Sequence, residues 1–257
     1  MMVMAIIGLT MLPEAEVMTA NASNGGTTEI KDTVQSADIV FGGGDLYVEV
    51  WEKEHIGFKV EKGQNSNGYE YECYVKDNVI YVEGSQKSGH SANKGDNKVY
   101  LYIPSDMKFE NFILVNGNAD VYASNVVCER LQIDAAVGTI NITDFEADDV
   151  SVVMGMGTIN ADGKITGDVD VLCNAGTVNV KLTGNVSDHD YLIDTTLGKV
   201  KVGNTTYGVM SKKKITNNTG SMFDLECVAG LINFEFNANL LSSTLGAPDP
   251  SYISQIR

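Results

Sequence analysis

The chain has 257 residues, 43% of them hydrophobic, with 26 glycines and only 4 prolines, a balance that suits a turn-rich folded protein and excludes a disordered one. Its 18 Lys and Arg stand against 34 Asp and Glu, and the resulting net charge of -16 excludes nucleic acid and argues against anionic lipid as partners, because both would be repelled. The one basic run, Lys212-Lys213-Lys214, reads as solvated loop charge.

Residues 1–12 are nearly all apolar, and Ala20-Asn21-Ala22 follows as a small-x-small cleavage pattern. Residues 1–22 are therefore expected to be a truncated signal peptide or the remnant of a membrane anchor, in preference to a short buried strand. Twelve apolar residues fall short of the roughly twenty that span a bilayer. Residues 23–35 are polar and Gly/Thr-rich and are expected to form a linker.

Strand signals begin in residues 36–104, an N-terminal β region expected to cap the repeats C-terminal to it. Alternation predicts strands over residues 39–41, 46–51, 56–61, 69–75, 79–82 and 99–103, with Asp77-Asn78 as a hairpin turn and Pro104 as a stop. Residues 84–97 are polar and are expected to be an exposed loop.

From residue 105 to 236 one phrase recurs. Gly138-Thr139-Ile140-Asn141, Gly157-Thr158-Ile159-Asn160 and Gly176-Thr177-Val178-Asn179 are spaced nineteen residues apart. A degenerate copy, Ala119-Asp120-Val121-Tyr122, precedes them, and Gly198-Lys199-Val200-Lys201 and Gly230-Leu231-Ile232-Asn233 follow at longer intervals. Counting from each glycine, the positions seven and five before and two and four after are apolar in all six copies, from Phe112, Leu114, Val121 and Ala123 to Phe223, Leu225, Ile232 and Phe234. Each unit thus predicts two short strands of period two, joined by a bend where glycine can take a positive φ.

One unit buries too little to fold alone, whereas stacked units complete one another's hydrogen bonds. The prediction is an all-β, right-handed parallel β-solenoid of about six coils with a repeat of about nineteen residues. A left-handed hexapeptide helix would need a period of eighteen, which is absent. Insertions near residues 187–190 and 207–221 predict loops, and residues 237–257 predict a disordered tail.

The run Val99-Tyr100-Leu101-Tyr102-Ile103-Pro104, the six glycine-centred copies, residues 203–207 and Ala229-Gly230-Leu231-Ile232-Asn233-Phe234 together resemble the bacterial β-strand-repeat proteins named "putative adhesins" (domain of unknown function 4097), over about residues 36–236. That resemblance implies a β-solenoid on an exported or membrane-anchored protein of a bacterial cell surface.

The chemistry-bearing residues are few. Cys73, Cys128, Cys173 and Cys227 show no zinc spacing. With copy five between copies four and six, Cys173 and Cys227 would lie about 9.6 Å apart, too far for a disulfide, so they are expected to be small core residues. His55, His90 and His189 fall in unrelated segments, and Gly155-Met156-Gly157 precedes no helix that could hold a phosphate. Asp144, Glu146, Asp148 and Asp149, with Asp168 and Asp170, could bind Ca²⁺ or cleave a polysaccharide, although acidic turns collect aspartates in any acidic protein.

The sharper feature is the outward pair of columns, Thr139, Thr158, Thr177 and Asn141, Asn160, Asn179, about 4.8 Å apart along the stack. It reads first as a structural ladder and second as a strip for glycan or another repetitive surface. The functional expectation is a non-enzymatic extracytoplasmic module without cofactor, with a glycan or cell-surface protein as partner and membrane contact only through an N-terminal anchor. A polysaccharide-active β-helix enzyme and a sensory ectodomain of an envelope-stress system are the alternatives.

Overall fold

A computed structural model describes residues 26–64, 68–86 and 96–237. The signal-like segment and His90 lie outside these residues, as does the tail beyond 237. The N-terminal strands are β1 (Thr28–Ile30), β2 (Ser36–Phe41), β3 (Asp45–Trp51), β4 (Ile56–Glu61), β5 (Tyr69–Lys76), β6 (Val79–Gln86) and β7 (Lys98–Pro104). The repeats supply β8 (Phe109–Asn116), β9 (Asp120–Ser124), β10 (Val127–Ala135), β11 (Thr139–Met154), β12 (Thr158–Ile165), β13 (Val169–Cys173) and β14 (Thr177–Thr183). A 3-10 turn at Val186–Asp188 leads to β15 (Asp190–Thr195), β16 (Lys199–Val202), β17 (Thr205–Tyr207), β18 (Lys212–Ile215), β19 (Met222–Cys227) and β20 (Leu231–Asn237).

These strands stack as two facing sheets with the core between them. The strands before each repeat glycine form face A, in the order β6, β2, β8, β10, the second half of β11, β13, β19 and β15. Those after it form face B, in the order β7, β3, β9, the first half of β11, β12, β14, β20 and β16. Every one of these pairings is parallel. The six repeat copies therefore each give one layer, and β2–β3 and β6–β7 add two more.

Every residue of the four apolar columns is buried, because alternation puts one side of each strand against the opposite sheet. The corner between face B and the next face A is made by residues that tolerate the left-handed region, Asn125 at φ 55° and Asp144 at φ 54°. At the second of these β11 bends without breaking, with its register shifting between Ile142 and Phe145.

Three expectations need correction. Residues 36–104 do more than cap: β2 matches β8 in register, Ala37, Ile39 and Phe41 lying beside Phe112, Leu114 and Asn116, so the same inward pattern makes it a full layer. The caps are antiparallel strands, β5 on β6 and β4 on β7, and β1 on β4 draws part of the expected linker into the fold by burying Ile30. The hairpin turn between β5 and β6 is as predicted, with Asp77 and Asn78 at φ 52° and 61°.

The second correction concerns order. Copy six, β19–β20, lies between copy four and copy five, so Cys173 and Cys227 are direct neighbours in register, not two layers apart. Both are free and buried. Burial pushes the Cys173 thiol up to about 11. The third correction is that the polar stretch 84–97 is not wholly exposed. β6 runs on to Gln86, and Asn97 is buried, its Oδ1 accepting from the Gly63 N–H at 3.1 Å and its Nδ2 donating to the Tyr71 hydroxyl at 3.2 Å. Residues 87–95 lie outside the described ones.

The repeat glycine is required by space more than by conformation. Among the six copies only Gly138 has a positive φ, 97°. A Cβ on Gly157 or Gly230 would come within 2.2 Å of the carbonyl oxygen of the glycine in the layer beneath, Gly138 or Gly176. Each turn sits directly on the last and hydrogen-bonds to it, as Met156 N–H does to Ala136 O at 2.9 Å and Ala229 N–H to Asn174 O at 2.7 Å.

Candidate functional site

The predicted strip is assembled on face B as expected from the period. Thr139, Thr158 and Thr177 are direct neighbours in register, and so are Asn141, Asn160 and Asn179. The amides form a chain: Asn160 Nδ2 donates to Asn141 Oδ1 at 2.9 Å, and Asn179 Nδ2 to Asn160 Oδ1 at 3.0 Å. Each amide that bonds its neighbour is held in one orientation, so the ladder is rigid, and it adds roughly 1 kcal/mol of stability per bond. The chain of amides ends at Asn233, whose Nδ2 turns to Glu235 Oε1 at 3.2 Å and whose buried Oδ1 has no hydrogen-bond partner.

The column continues through the degenerate copy and then beyond the repeats. On the far side of Asn141 stands Tyr122, then Tyr47 and Tyr100, all on the same column. Their rings stack, Tyr47 on Tyr122 at 5.2 Å and on Tyr100 at 5.0 Å between centroids. Lys59 Nζ lies over the Tyr100 ring at 5.4 Å, and the Tyr100 hydroxyl donates to Glu61 Oε2 at 3.2 Å. Desolvation, with the Glu61 charge beside it, pushes the Tyr100 phenol up to about 12. A second row, Trp51 stacked on Tyr102 at 5.1 Å, runs beside it. Tyr47 and Tyr100 were legible as strand residues, but their place in the column depends on β2–β3 and β6–β7 being layers.

The outward polar column of face A gathers differently. Gln132, Ser151, Asp170 and Asp224 lie on adjacent strands and line a groove of about 410 Å³, together with Arg130, Asp149 and Asp168. Partial burial and then the charges of Asp170 and Asp194 raise the Asp224 carboxyl. Asp148 and Asp149, two of the six acids considered for calcium or catalysis, are used to hold the next layer. Asp148 Oδ1 accepts from the Thr166 hydroxyl at 2.8 Å, and Asp149 Oδ1 from the Asp168 N–H at 2.9 Å. Among the described residues no group of three or more His, Cys, Asp or Glu side chains is placed to hold a metal ion.

His189 is buried, its ring 4.1 Å from that of Phe223 and its Nδ1 2.9 Å from Ser221 Oγ. Desolvation lowers its pKa from the ordinary histidine value, against the smaller opposing charge of Asp188. The ring belongs to the core of the last layers, and among the described residues nothing nucleophilic other than the Ser221 hydroxyl, which donates to Gly167 O, lies against it.

The protein-family model described as Toastrack DUF4097 matches residues 37–222. Among solved structures the chain is similar to "a putative cell adhesion protein" from Clostridium sporogenes, at 16% identity with a TM-score of 0.45, covering 83% of this chain and 100% of that one. It is also similar to "a putative adhesin" from Bacteroides fragilis, at 13% identity with a TM-score of 0.38, covering 83% and 98%. No curated protein matches it.

Proposed function

The chain belongs to the Toastrack DUF4097 family, and from that premise we propose that it is a non-enzymatic interaction module of a bacterial cell surface, working outside the cytoplasm. One observation carries this reading: a continuous outward row from Tyr100 through Tyr47, Tyr122, Asn141 and Asn160 to Asn179, one side chain per layer, on the flat side of a stacked sheet. A row that repeats at the strand spacing suits a ligand that also repeats, and amide, hydroxyl and aromatic groups are the ones that engage sugar hydroxyls and sugar ring faces. A glycan polymer is the partner we assign. The Thr139, Thr158 and Thr177 column borders the row and supplies further hydroxyls. The layers wind right-handed, following the general rule for parallel crossovers. The N-terminal segment of residues 1–22 serves as signal or anchor, and no cofactor takes part.

The test is a glycan array probed with the wild-type chain and with the double variant Thr158→Lys, Asn160→Lys. Binding is expected to fall at least about tenfold, since two long charged side chains would cover the middle of the row. Circular dichroism checks the fold, because the variant also loses ladder bonds worth roughly 1 kcal/mol each. Equal binding by a folded variant removes the strip as the site.

A further inference from the structure

One stretch of the chain near the end of the stack carries a charge opposite to the rest. Between Asp194 and Asp224 there is no acidic residue, while Lys199, Lys201, Lys212, Lys213 and Lys214 all lie there. This stretch therefore holds five of the 18 cations and none of the 34 acids, which leaves a charge of -21 on the remainder of the chain. The net charge of the whole conceals this division.

The fold places these lysines in the outermost layer, residues 186–215, where five lysines stand against Asp188, Asp190 and Asp194 and leave a net charge of +2. β16 lies at the end of face B with β17 antiparallel on its free edge, and β15 at the end of face A with β18 on its free edge. The turn of residues 208–211 crosses from β17 to β18 over the glycine corner. It is pinned there, with Met210 N–H donating to Thr196 O at 3.0 Å and Ser211 N–H to the hydroxyl of buried Thr195 at 2.9 Å, while that hydroxyl donates to Gly208 O.

At the crest of this corner three large apolar side chains face solvent: Leu197 is 68% exposed, Val209 56% and Met210 84%. Met210 also sits at φ 56°, a conformation that side chains other than Asn, Asp and Gly rarely adopt. Residues held in such sparsely populated backbone conformations cluster at binding and switch sites. Around the crest, Lys199, Lys213 and Lys214 are exposed, whereas Lys212 pairs with Asp194 at 2.8 Å and Lys201 with Glu235 at 3.5 Å.

We propose that this end of the stack is a docking tip for an anionic lipid bilayer, with Leu197, Val209 and Met210 entering the interface and Lys199, Lys213 and Lys214 contacting headgroup phosphates. Exposed apolar residues at the corner, with exposed lysines on the adjoining strands β16 and β18, combine the two attractions that hold peripheral proteins on membranes. The acidic body orients the approach, since the same surface that attracts the tip repels the rest. Lysines on an edge strand such as β18 also discourage strand addition, but that role leaves Leu197, Val209 and Met210 unexplained. Three side chains on a convex corner bury far less than the roughly 1,200 Å² of a stable protein interface, so a second copy of the chain is the poorer occupant. The inference stands apart from the glycan strip and does not depend on it.

The experiment is co-sedimentation of the full chain with vesicles of phosphatidylcholine containing 30% phosphatidylglycerol (roughly the charge density at which basic patches bind), and with phosphatidylcholine alone. Binding is expected only to the anionic vesicles and is expected to be lost in high salt. The triple variant Lys199→Gln, Lys213→Gln, Lys214→Gln should weaken partitioning by about tenfold or more. The variant Val209→Ser, Met210→Asn should weaken it several-fold while the melting temperature holds or rises, because asparagine accepts the left-handed region. Both variants leave residues 1–12 intact, so binding that survives in both belongs to that segment and overturns the proposal. Equal binding to neutral vesicles overturns it as well. So does a concentration-dependent dimer, free of vesicles, that the triple variant dissolves.

Discussion

The middle of the stack and its C-terminal end are built from the same repeat and obey different rules. Copies two, three and four lie in space as they lie in the chain, with a constant step of nineteen residues and aliphatic side chains in all four apolar columns. At the end the order inverts. Copy five is followed by an insertion that supplies β17 and β18, the antiparallel strands that cover both free edges, so copy five takes the outermost position and copy six fills the gap behind it. The N-terminal end shows the same device: β6–β7, adjacent to the antiparallel β5 and β4, is outermost, and β2–β3, earlier in the chain, lies inside it. A solenoid can extend by repetition alone, but it can stop only where something blocks strand addition, and the chain doubles back to place that block.

Three experiments would sharpen or break this contrast. The largest effect is expected at the inserted layer, whose core is aromatic. Phe223 is fully buried, with Tyr191 at 5.5 Å and Phe234 at 5.4 Å between ring centroids, and His189 stacked on it. Phe223→Ala should cost about 4 kcal/mol in urea unfolding, against about 2 kcal/mol for Val169→Ala at the same column one layer away. Equal costs would show that the two regions are held alike.

Next in size is the glycine corner. Gly230→Ala sets a Cβ against Gly176 O at the junction of copies four and six and should cost about 2 kcal/mol, whereas Gly208→Ala, with nothing within 4 Å, should be close to neutral. If the two variants melt together, the close stacking of the turns is not what demands glycine.

The smallest effect is the titration of His189. Its folded pKa is lowered, so the neutral form is favoured in the folded state and the unfolded chain binds the extra proton first. The contribution is complete above the unfolded value of about 6.5 and is lost as pH falls below it. Melting temperature should therefore decline from pH 7 to pH 5 in the wild type and decline less in His189→Phe, which keeps the aromatic packing on Phe223. A parallel decline in both would show that His189 does not supply the slope.

Much of the fold was legible because parallel layers impose one residue class per column. Every member of the four apolar columns is inward, and the Thr and Asn columns align as the step of nineteen requires. Legibility fails where that step is interrupted. Asn116, Ala135, Met154, Cys173, Thr195 and Cys227 form a fifth buried column three residues before the glycine, hidden because the corner accepts any side chain that can satisfy its own polar atoms. Asn116 does so by donating to Ala119 O at 3.0 Å and accepting from Ala119 N–H at 3.0 Å, and Thr195 by holding the 208–211 turn. Tyr47 and Tyr100 were separated from Tyr122 by long stretches of chain, and no local spacing joins them.

The candidate sites divide in the same way. Asn141, Asn160 and Asn179, and Tyr122 of the degenerate copy, could be placed from the repeat, while Tyr47 and Tyr100, which lengthen their row, could not. The lysines of 199–214 were visible as residues, yet a charge summed over the whole chain hid them, and the exposure of Met210 follows from a turn held by Thr195.

The sequence by itself determined the repeating layer: where each strand runs, which face is buried, where the chain bends, and which polar residues are left outside. These follow from short-range alternation and sterics. Only the tertiary structure decided the order in which layers stack, the pairing of Cys173 with Cys227, and the meeting of apolar crest and lysines at one end. Every layer presents much the same parallel edge to a neighbour, so periodicity cannot choose between copies five and six; the antiparallel strands that must close the free edges make the choice.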